Sequence, residues 1–117
     1  MELKEVYEKI GGDYDDVVRR LMGEKLVRKF LLKFLDDKSC ADLERTLSEG
    51  DYKEAFRAAH TLKGVCLNLG FTELYKVSAE LTEVLRGRET AGSDELYAQV
   101  KEQYTTLTDA IRELAGN

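Results

Sequence analysis

Apolar residues recur every three or four positions along most of this chain, which is the spacing of an amphipathic helix. Nowhere do apolar and polar residues alternate for long enough to predict a strand. The pattern therefore predicts an all-α protein. Four stripes carry this prediction: Val27, Phe30, Leu31 and Phe34; Ala55, Ala59, Leu62, Cys66 and Leu69; Leu74, Val77, Leu81 and Val84; and Leu96, Val100, Tyr104, Leu107, Ile111 and Leu114.

Polar caps and glycines divide these stripes into helices. Capping side chains stand at the expected starts, and glycines that accept a left-handed turn stand at several expected ends: Asp13, Ser39, Asp51, Thr72 and Ser93 for the starts; Gly50, Gly70 and Gly87 for the ends. The predicted helices are 2–9, 14–22, 24–37, 40–49, 52–69, 73–86 and 94–114.

Short connections favour antiparallel neighbours, so the four longest stripes predict an up-and-down four-helix bundle over about 24–115. Short additional helices within about 1–22 are expected to cover one end of the bundle. A chain of 117 residues has room for one such domain, 1–117.

Composition narrows the classes of function. Eighteen basic and 23 acidic side chains leave a net charge of −5, which argues against a nucleic-acid-binding protein. No apolar run is long enough to span a bilayer, and no apolar signal region follows Met1, so we expect a cytoplasmic protein. Cys40 and Cys66 are too few for a disulfide scaffold and are expected to be reduced.

Helix 52–69 carries two unusual residues. His60 is the only histidine of the chain, and Gly64 lies well inside the helix, where glycine costs about 1 kcal/mol relative to alanine. At roughly 100° per residue, His60 projects from the flank of the helix towards solvent. Lys63 and Gly64 lie within about 60° of it, and Phe56 and Leu67 lie within about 40°.

These neighbours suit phosphorylation of an imidazole. An unprotonated ring nitrogen is a nucleophile near neutral pH, Lys63 can attract the added phosphate, and Gly64 leaves room for a partner. Phe56 and Leu67 offer apolar contacts. Since nothing here supplies a base, an oxyanion hole or a metal site, the cluster predicts a phosphate carrier and not a complete catalyst.

Simpler explanations stay open for each residue. His60 can be an ordinary surface histidine and Lys63 an ordinary solvated lysine. Gly64 can serve close helix packing, and Phe56 can belong to the wall of the core.

The segment Ala59-His60-Thr61-Leu62-Lys63-Gly64, followed by Gly70, resembles the motif of histidine-containing phosphotransfer (HPt) domains of two-component phosphorelays. This resemblance implies a four-helix bundle in which His60 is phosphorylated at Nε2. Lys63 then steadies the phosphate and Gly64 keeps the ring accessible. The resemblance also places Thr82 and Arg86 on the facing helix, towards the imidazole or phosphate; a cation near a helix end has an equal explanation in the helix dipole.

The partners implied are response-regulator receiver domains and a hybrid sensor histidine kinase, with Mg²⁺ held by the receiver and no cofactor in this chain. The protein is then expected to be a monomeric carrier without kinase activity, and the direction of phosphate flow is open. Three alternatives remain: an interaction module in which His60 is incidental, a metal-binding bundle, for which one histidine and two cysteines are a poor ligand set, and the histidine-bearing domain of a larger chemotaxis-type kinase.

Overall fold

The computed structural model describes residues 1–87 and 92–116, and this part of the chain contains seven helices. Residues 88–91 of the predicted bundle and Asn117 of the predicted domain lie outside the described residues. The helices are α1 (Leu3–Ile10), α2 (Tyr14–Arg20), α3 (Glu24–Phe34), α4 (Ser39–Ser48), α5 (Tyr52–Leu69), α6 (Thr72–Arg86) and α7 (Ser93–Ala115). The prediction of an all-α fold with seven helices is confirmed.

Two of the predicted caps form as expected. The carboxylates of Asp13 and Asp51 accept hydrogen bonds of 3.2 Å from the backbone N–H of Asp16 and Glu54. Each bond satisfies an amide that the first helical turn leaves without a partner. The other predicted caps, Ser39, Thr72 and Ser93, are instead the first residues of their helices.

Two helices end two or more residues earlier than predicted. The prediction carried α2 to residue 22, but Met22 has a left-handed φ of 63° and the N–H of Gly23 closes the turn on the Val18 carbonyl. The prediction carried α3 to residue 37, but it stops at Phe34, and the Asp37 carboxylate accepts the N–H of Ser39 at 3.0 Å. In both places local hydrogen bonds compete with a further helical turn.

The bundle is built around α5. Helix α6 returns along α5 after Gly70, whose φ of 71° permits the tight turn, and α7 packs on α6. Helix α4 lies along the first half of α5, and α3 lies along its second half, where Phe30 and Val65 line one groove. The first position of the four-helix bundle is thus filled by α3 and α4 in succession, whereas the apolar stripes predicted α3 alone. The core between the helices contains Leu31, Leu62, Leu81, Leu107 and Ile111.

The N-terminal helices pack at one end of the bundle. Helix α1 packs against α7, and the buried Tyr7 hydroxyl donates to the Leu69 carbonyl at 2.6 Å. The Arg20 guanidinium donates to the Asn68 carbonyl at 3.0 Å, and Arg28 donates to the Leu114 carbonyl at 3.2 Å. These side chains satisfy carbonyls that the last turns of α5 and α7 leave open.

Within residues 1–87 and 92–116, no helix has both the length and the apolar character needed to cross a bilayer.

Candidate functional site

His60 lies in the middle of α5, far from both helix ends, and its side chain is exposed. The opposite face of the same helix carries Ala55, Ala59, Leu62 and Cys66, all completely buried. This division of the helix into a core face and a solvent face fixes the direction of the imidazole. The predicted exposure of His60 is confirmed.

One turn after His60, the chain offers a cation and an open stretch of backbone. Lys63 is half-buried, and in the described part of the chain its ammonium forms neither an ion pair nor a hydrogen bond. At Gly64, an added Cβ would meet nothing within 4 Å beyond its own helix. Close packing against another helix therefore does not explain this glycine, and the surface beside the imidazole is open at this position.

Phe56 lies one turn before His60 and contacts it directly. The two rings are nearly parallel, with 22° between their planes and 6.0 Å between their centroids. Phe56 is half-buried and packs against the core, as the simpler explanation of this residue predicted. It thus contributes to the wall of the core and to the surroundings of the imidazole at once.

Arg86, at the end of α6, reaches the same cluster through Phe56. Its guanidinium carbon is 5.0 Å from the centroid of the Phe56 ring, and its Nε donates to the Glu83 carboxylate at 3.0 Å. The sequence placed Arg86 near the imidazole or phosphate, but it gave no sign of the contact with Phe56. The spacing of Glu83 and Arg86 by three residues was the only signal for this pair.

Thr82 does not join the site surface. It is completely buried, and its hydroxyl donates to the Ser78 carbonyl at 2.7 Å. Among the described residues no hydrogen bond joins Thr82 to His60. The resemblance placed it towards the imidazole, but its position on the core face of α6 and its short side chain direct the hydroxyl to its own helix.

Leu67 completes the exposed face of α5. It lies two turns after His60, and 59% of its surface is exposed. An apolar side chain that is this exposed beside a reactive group can contact a partner protein.

The two thiols of the chain lie away from solvent. Cys40 and Cys66 are buried free thiols, and burial raises the pKa of Cys40 to about 11 and also raises the pKa of Cys66. Both are therefore neutral and unreactive near pH 7. Among the described residues, no three His, Cys, Asp or Glu side chains are grouped so that they could hold a metal ion.

Comparison with known families matches residues 28–114 to the Hpt domain, and the chain belongs to this family. Hpt domains are the histidine phosphotransfer modules of phosphorelays, and they work with receiver domains. The resemblance noted in the sequence is therefore confirmed at the level of the family. Residues 1–27, including α1 and α2, lie outside the match.

The curated relatives are the Sensory/regulatory protein RpfC from two strains of Xanthomonas campestris pv. campestris. Each is 31% identical to this chain over 104 residues, and the match covers 74% of the chain. The chain spans only 14% of the length of these relatives. No solved structure gives a significant match.

Proposed function

We propose that His60 accepts a phosphoryl group from the aspartyl phosphate of one receiver domain and passes it to the aspartate of another. The observation that carries the proposal is the placement of the only histidine of an Hpt chain. It is exposed at mid-helix, with the unpaired ammonium of Lys63 and the open surface of Gly64 one turn away.

The transfer needs little from this chain beyond a nucleophile. In the neutral Nδ1–H tautomer, Nε2 carries a lone pair and no proton, so its attack on phosphorus needs no general base. The new N–P bond forms as the P–O bond to the receiver's aspartate breaks, and the aspartate leaves as a carboxylate. Transfer to the next receiver reverses these bond changes. This chemistry agrees with the lack of a base in the cluster.

Lys63 supplies charge at the phosphorylated ring. A phosphoryl group adds a charge of about −1.5 to −2, and an ammonium one helical turn away attracts it by at most a few kcal/mol near a protein surface. Salt reduces this attraction further. The remaining alignment and charge neutralisation then fall to the receiver and its Mg²⁺, because phosphoryl transfer depends mainly on positioning and electrostatics.

The exposed face of α5 supplies the contact with the receiver. Leu67 offers an apolar surface, and Gly64 allows the receiver's backbone to approach the ring. The proposed protein is a carrier without kinase activity that acts in the cytoplasm, with receiver domains and a hybrid sensor kinase as partners, and the match to the Hpt family supports this proposal.

The test mixes the purified protein with receiver domains of the same genome that carry labelled aspartyl phosphate. We expect label to move to the wild-type chain and not to His60→Gln. Label retained on His60→Gln, or no transfer from any receiver of that genome, would contradict the proposal.

A matched pair of lysines tests the role of charge. Lys53 is exposed and lies two turns before His60 on the same side of α5. We expect Lys63→Gln to slow transfer about tenfold, which corresponds to 1.4 kcal/mol, and Lys53→Gln to slow it much less. Equal effects would mean that Lys63 acts only through the general charge of this face.

Leu67→Ser separates docking from chemistry. We expect it to raise the receiver concentration needed for half-maximal transfer without changing the rate at saturation. If receiver binding depended on Leu67 and the protein kept its cellular function in His60→Gln, the chain would be an interaction module with an incidental histidine.

A further inference from the structure

Three side chains form a connected row from α6 to the reactive ring. The Arg86 guanidinium lies 5.0 Å from the centroid of Phe56, and the Phe56 ring lies nearly parallel to the His60 imidazole. Glu83 anchors the start of the row, since its carboxylate oxygens accept from Arg86 Nε and from a terminal nitrogen at 3.0 and 3.4 Å.

The row limits how the imidazole can turn. An exposed histidine on an isolated helix rotates freely about its two side-chain bonds. Contact with a parallel aromatic face favours one ring orientation over the others. Phe56 can act in this way because it is itself held, by the core on one side and by the guanidinium contact.

The same contacts give Arg86 a role different from the one the family resemblance implies. A guanidinium that lies over an aromatic ring and is hydrogen-bonded to a carboxylate already has its position and part of its charge engaged by these two contacts. Lys63, in contrast, is unpaired in the described part of the chain. Of the two cations, Lys63 is therefore the one free to meet a phosphate.

We propose that Phe56 is a positioning residue for His60 and that Arg86 acts on the imidazole through Phe56 and not as a ligand of the phosphate. This proposal rests on the proposed phosphotransfer function. It predicts that both residues set the rate of transfer within the assembled complex and leave the docking of the receiver unchanged.

The orientation of the ring can be measured without any phosphotransfer. Because His60 is the only histidine, the imidazole protons give a single pair of NMR signals, and a stacked phenyl ring shifts them. We expect Phe56→Leu, which keeps apolar bulk, to move these signals towards those of a free imidazole. Phe56→Tyr keeps the ring and should keep the shift. Unchanged signals in Phe56→Leu would overturn the proposal.

Kinetics then separate positioning from docking. We expect Phe56→Leu to lower the transfer rate at saturating phosphorylated receiver about tenfold, as a misaligned nucleophile does. The half-saturating receiver concentration should stay the same, and Phe56→Tyr should restore the rate. A changed half-saturating concentration with an unchanged maximal rate would identify Phe56 as a docking residue and overturn the proposal.

Two substitutions at the exposed Arg86 distinguish stacking from charge. Arg86→Gln keeps a planar group without charge, and Arg86→Lys keeps the charge without the plane. We expect Arg86→Lys to disturb the His60 signals and the maximal rate more than Arg86→Gln does. The opposite order in the rate would make Arg86 a phosphate ligand and overturn the proposal.

Two controls separate a failure of the positioning proposal from a folding defect and from a failure of phosphotransfer. Melting temperatures of all variants show which of them fold, and if Phe56→Leu does not, the Arg86 pair still decides. If the wild-type chain accepts no phosphate while the NMR signals respond as expected, the phosphotransfer function is wrong and the positioning of the ring by Phe56 stands.

Discussion

A methyl group added at Gly64 is expected to act in opposite directions on stability and on phosphotransfer. The new Cβ meets open space, and alanine is favoured over glycine inside a helix by about 1 kcal/mol. Gly64→Ala should therefore raise the free energy of unfolding by about that amount, measured by urea denaturation. Transfer from a receiver should slow, and Gly64→Leu should slow it more.

Gly50 provides the control for this comparison. An added Cβ there also meets open space, but the φ of 73° is left-handed. Gly50→Ala should lower the free energy of unfolding by roughly 1 kcal/mol and leave transfer unchanged. If Gly64→Ala is as active as the wild type and Gly64→Leu is too, the glycine does not serve access to His60.

Ser78 is a second residue with a clear expected effect. Its hydroxyl is completely buried and, among the described residues, is the buried side-chain group without a hydrogen-bond partner. Since a desolvated hydroxyl without a partner is unfavourable, Ser78→Ala should raise the free energy of unfolding by about 1 kcal/mol. Thermal or urea unfolding measures this.

The exposed Ser48 in α4 corrects for helix propensity. Ser48→Ala brings only the intrinsic preference of alanine for helices. A gain at Ser78 no larger than the gain at Ser48 would show that the buried hydroxyl costs nothing.

At the residue scale, the sequence predicted well which way side chains point from a single helix, and it predicted contacts between helices poorly. His60 is exposed as the angular position on α5 predicts, because one helix has a fixed geometry. Thr82 and Arg86 lie on another helix, and their side chains depend on how α6 is rotated against α5. That rotation buries Thr82 and directs Arg86 to Phe56. The sequence pattern of α6 by itself does not predict this rotation.

At the scale of the element, the end of α5 depends on a residue far away in sequence. The Tyr7 hydroxyl donates to the Leu69 carbonyl within the protein interior. Tyr7→Phe removes the donor and leaves a buried carbonyl without it, so the free energy of unfolding should fall by about 1–2 kcal/mol. Urea denaturation checks this value.

Tyr52, the first residue of α5, is the matched control. It is half-buried, and its hydroxyl forms no hydrogen bond with the described residues. Tyr52→Phe should change stability by a few tenths of a kcal/mol at most. Equal losses in the two variants would mean that the bond from Tyr7 contributes no stability.

The ends of the elements show where local signals suffice. Asp51 and Gly70 determine the bounds of α5 through a side-chain cap and a left-handed turn, and both are visible in the sequence. The early ends of α2 and α3 depend on Met22 in a left-handed conformation and on a carboxylate cap from Asp37. Propensity alone favours continuing these helices, so the prediction extended them too far.

At the scale of the whole molecule, buried acids determine how stability responds to alkali. Burial raises the pKa of the Cys40 thiol from 9.0 to about 11, and it also raises the pKa of Cys66 and Tyr7. The folded protein therefore keeps protons that the unfolded chain loses first. The contribution of Cys40 to stability is complete below pH 9 and is lost as the pH rises towards 11.

The Cys40 thiol alone is expected to lower the free energy of unfolding by about 2 kcal/mol at pH 11. Urea unfolding between pH 7 and 10.5, with a reductant present, measures the slope of stability against pH. Cys40→Ala should make this slope shallower whatever its effect at pH 7. An identical slope in the variant would show that the thiol has the same pKa in the folded and unfolded chains.

The packing of whole helices was the part of the fold least visible in the sequence. The four apolar stripes that predicted the bundle helices did not include α4, although its residues lie within the predicted range of the bundle. In the structure α3 and α4 follow each other along α5 and together fill one position. The stripes identify which faces are buried. They do not show where α3 and α4, which are separated by the break between Phe34 and Ser39, pack along α5.

Helix α5 is held at both ends, by the Asp51 cap at its start and by Tyr7 and Arg20 at its final carbonyls. A modification of His60 in the middle of α5 therefore acts on a helix whose two ends are both fixed. We therefore expect phosphorylation of His60, as proposed, to leave the backbone of α5 unchanged. On this proposal, a receiver distinguishes the two forms by contact with the phosphoryl group itself and not by a change in the helix that carries it.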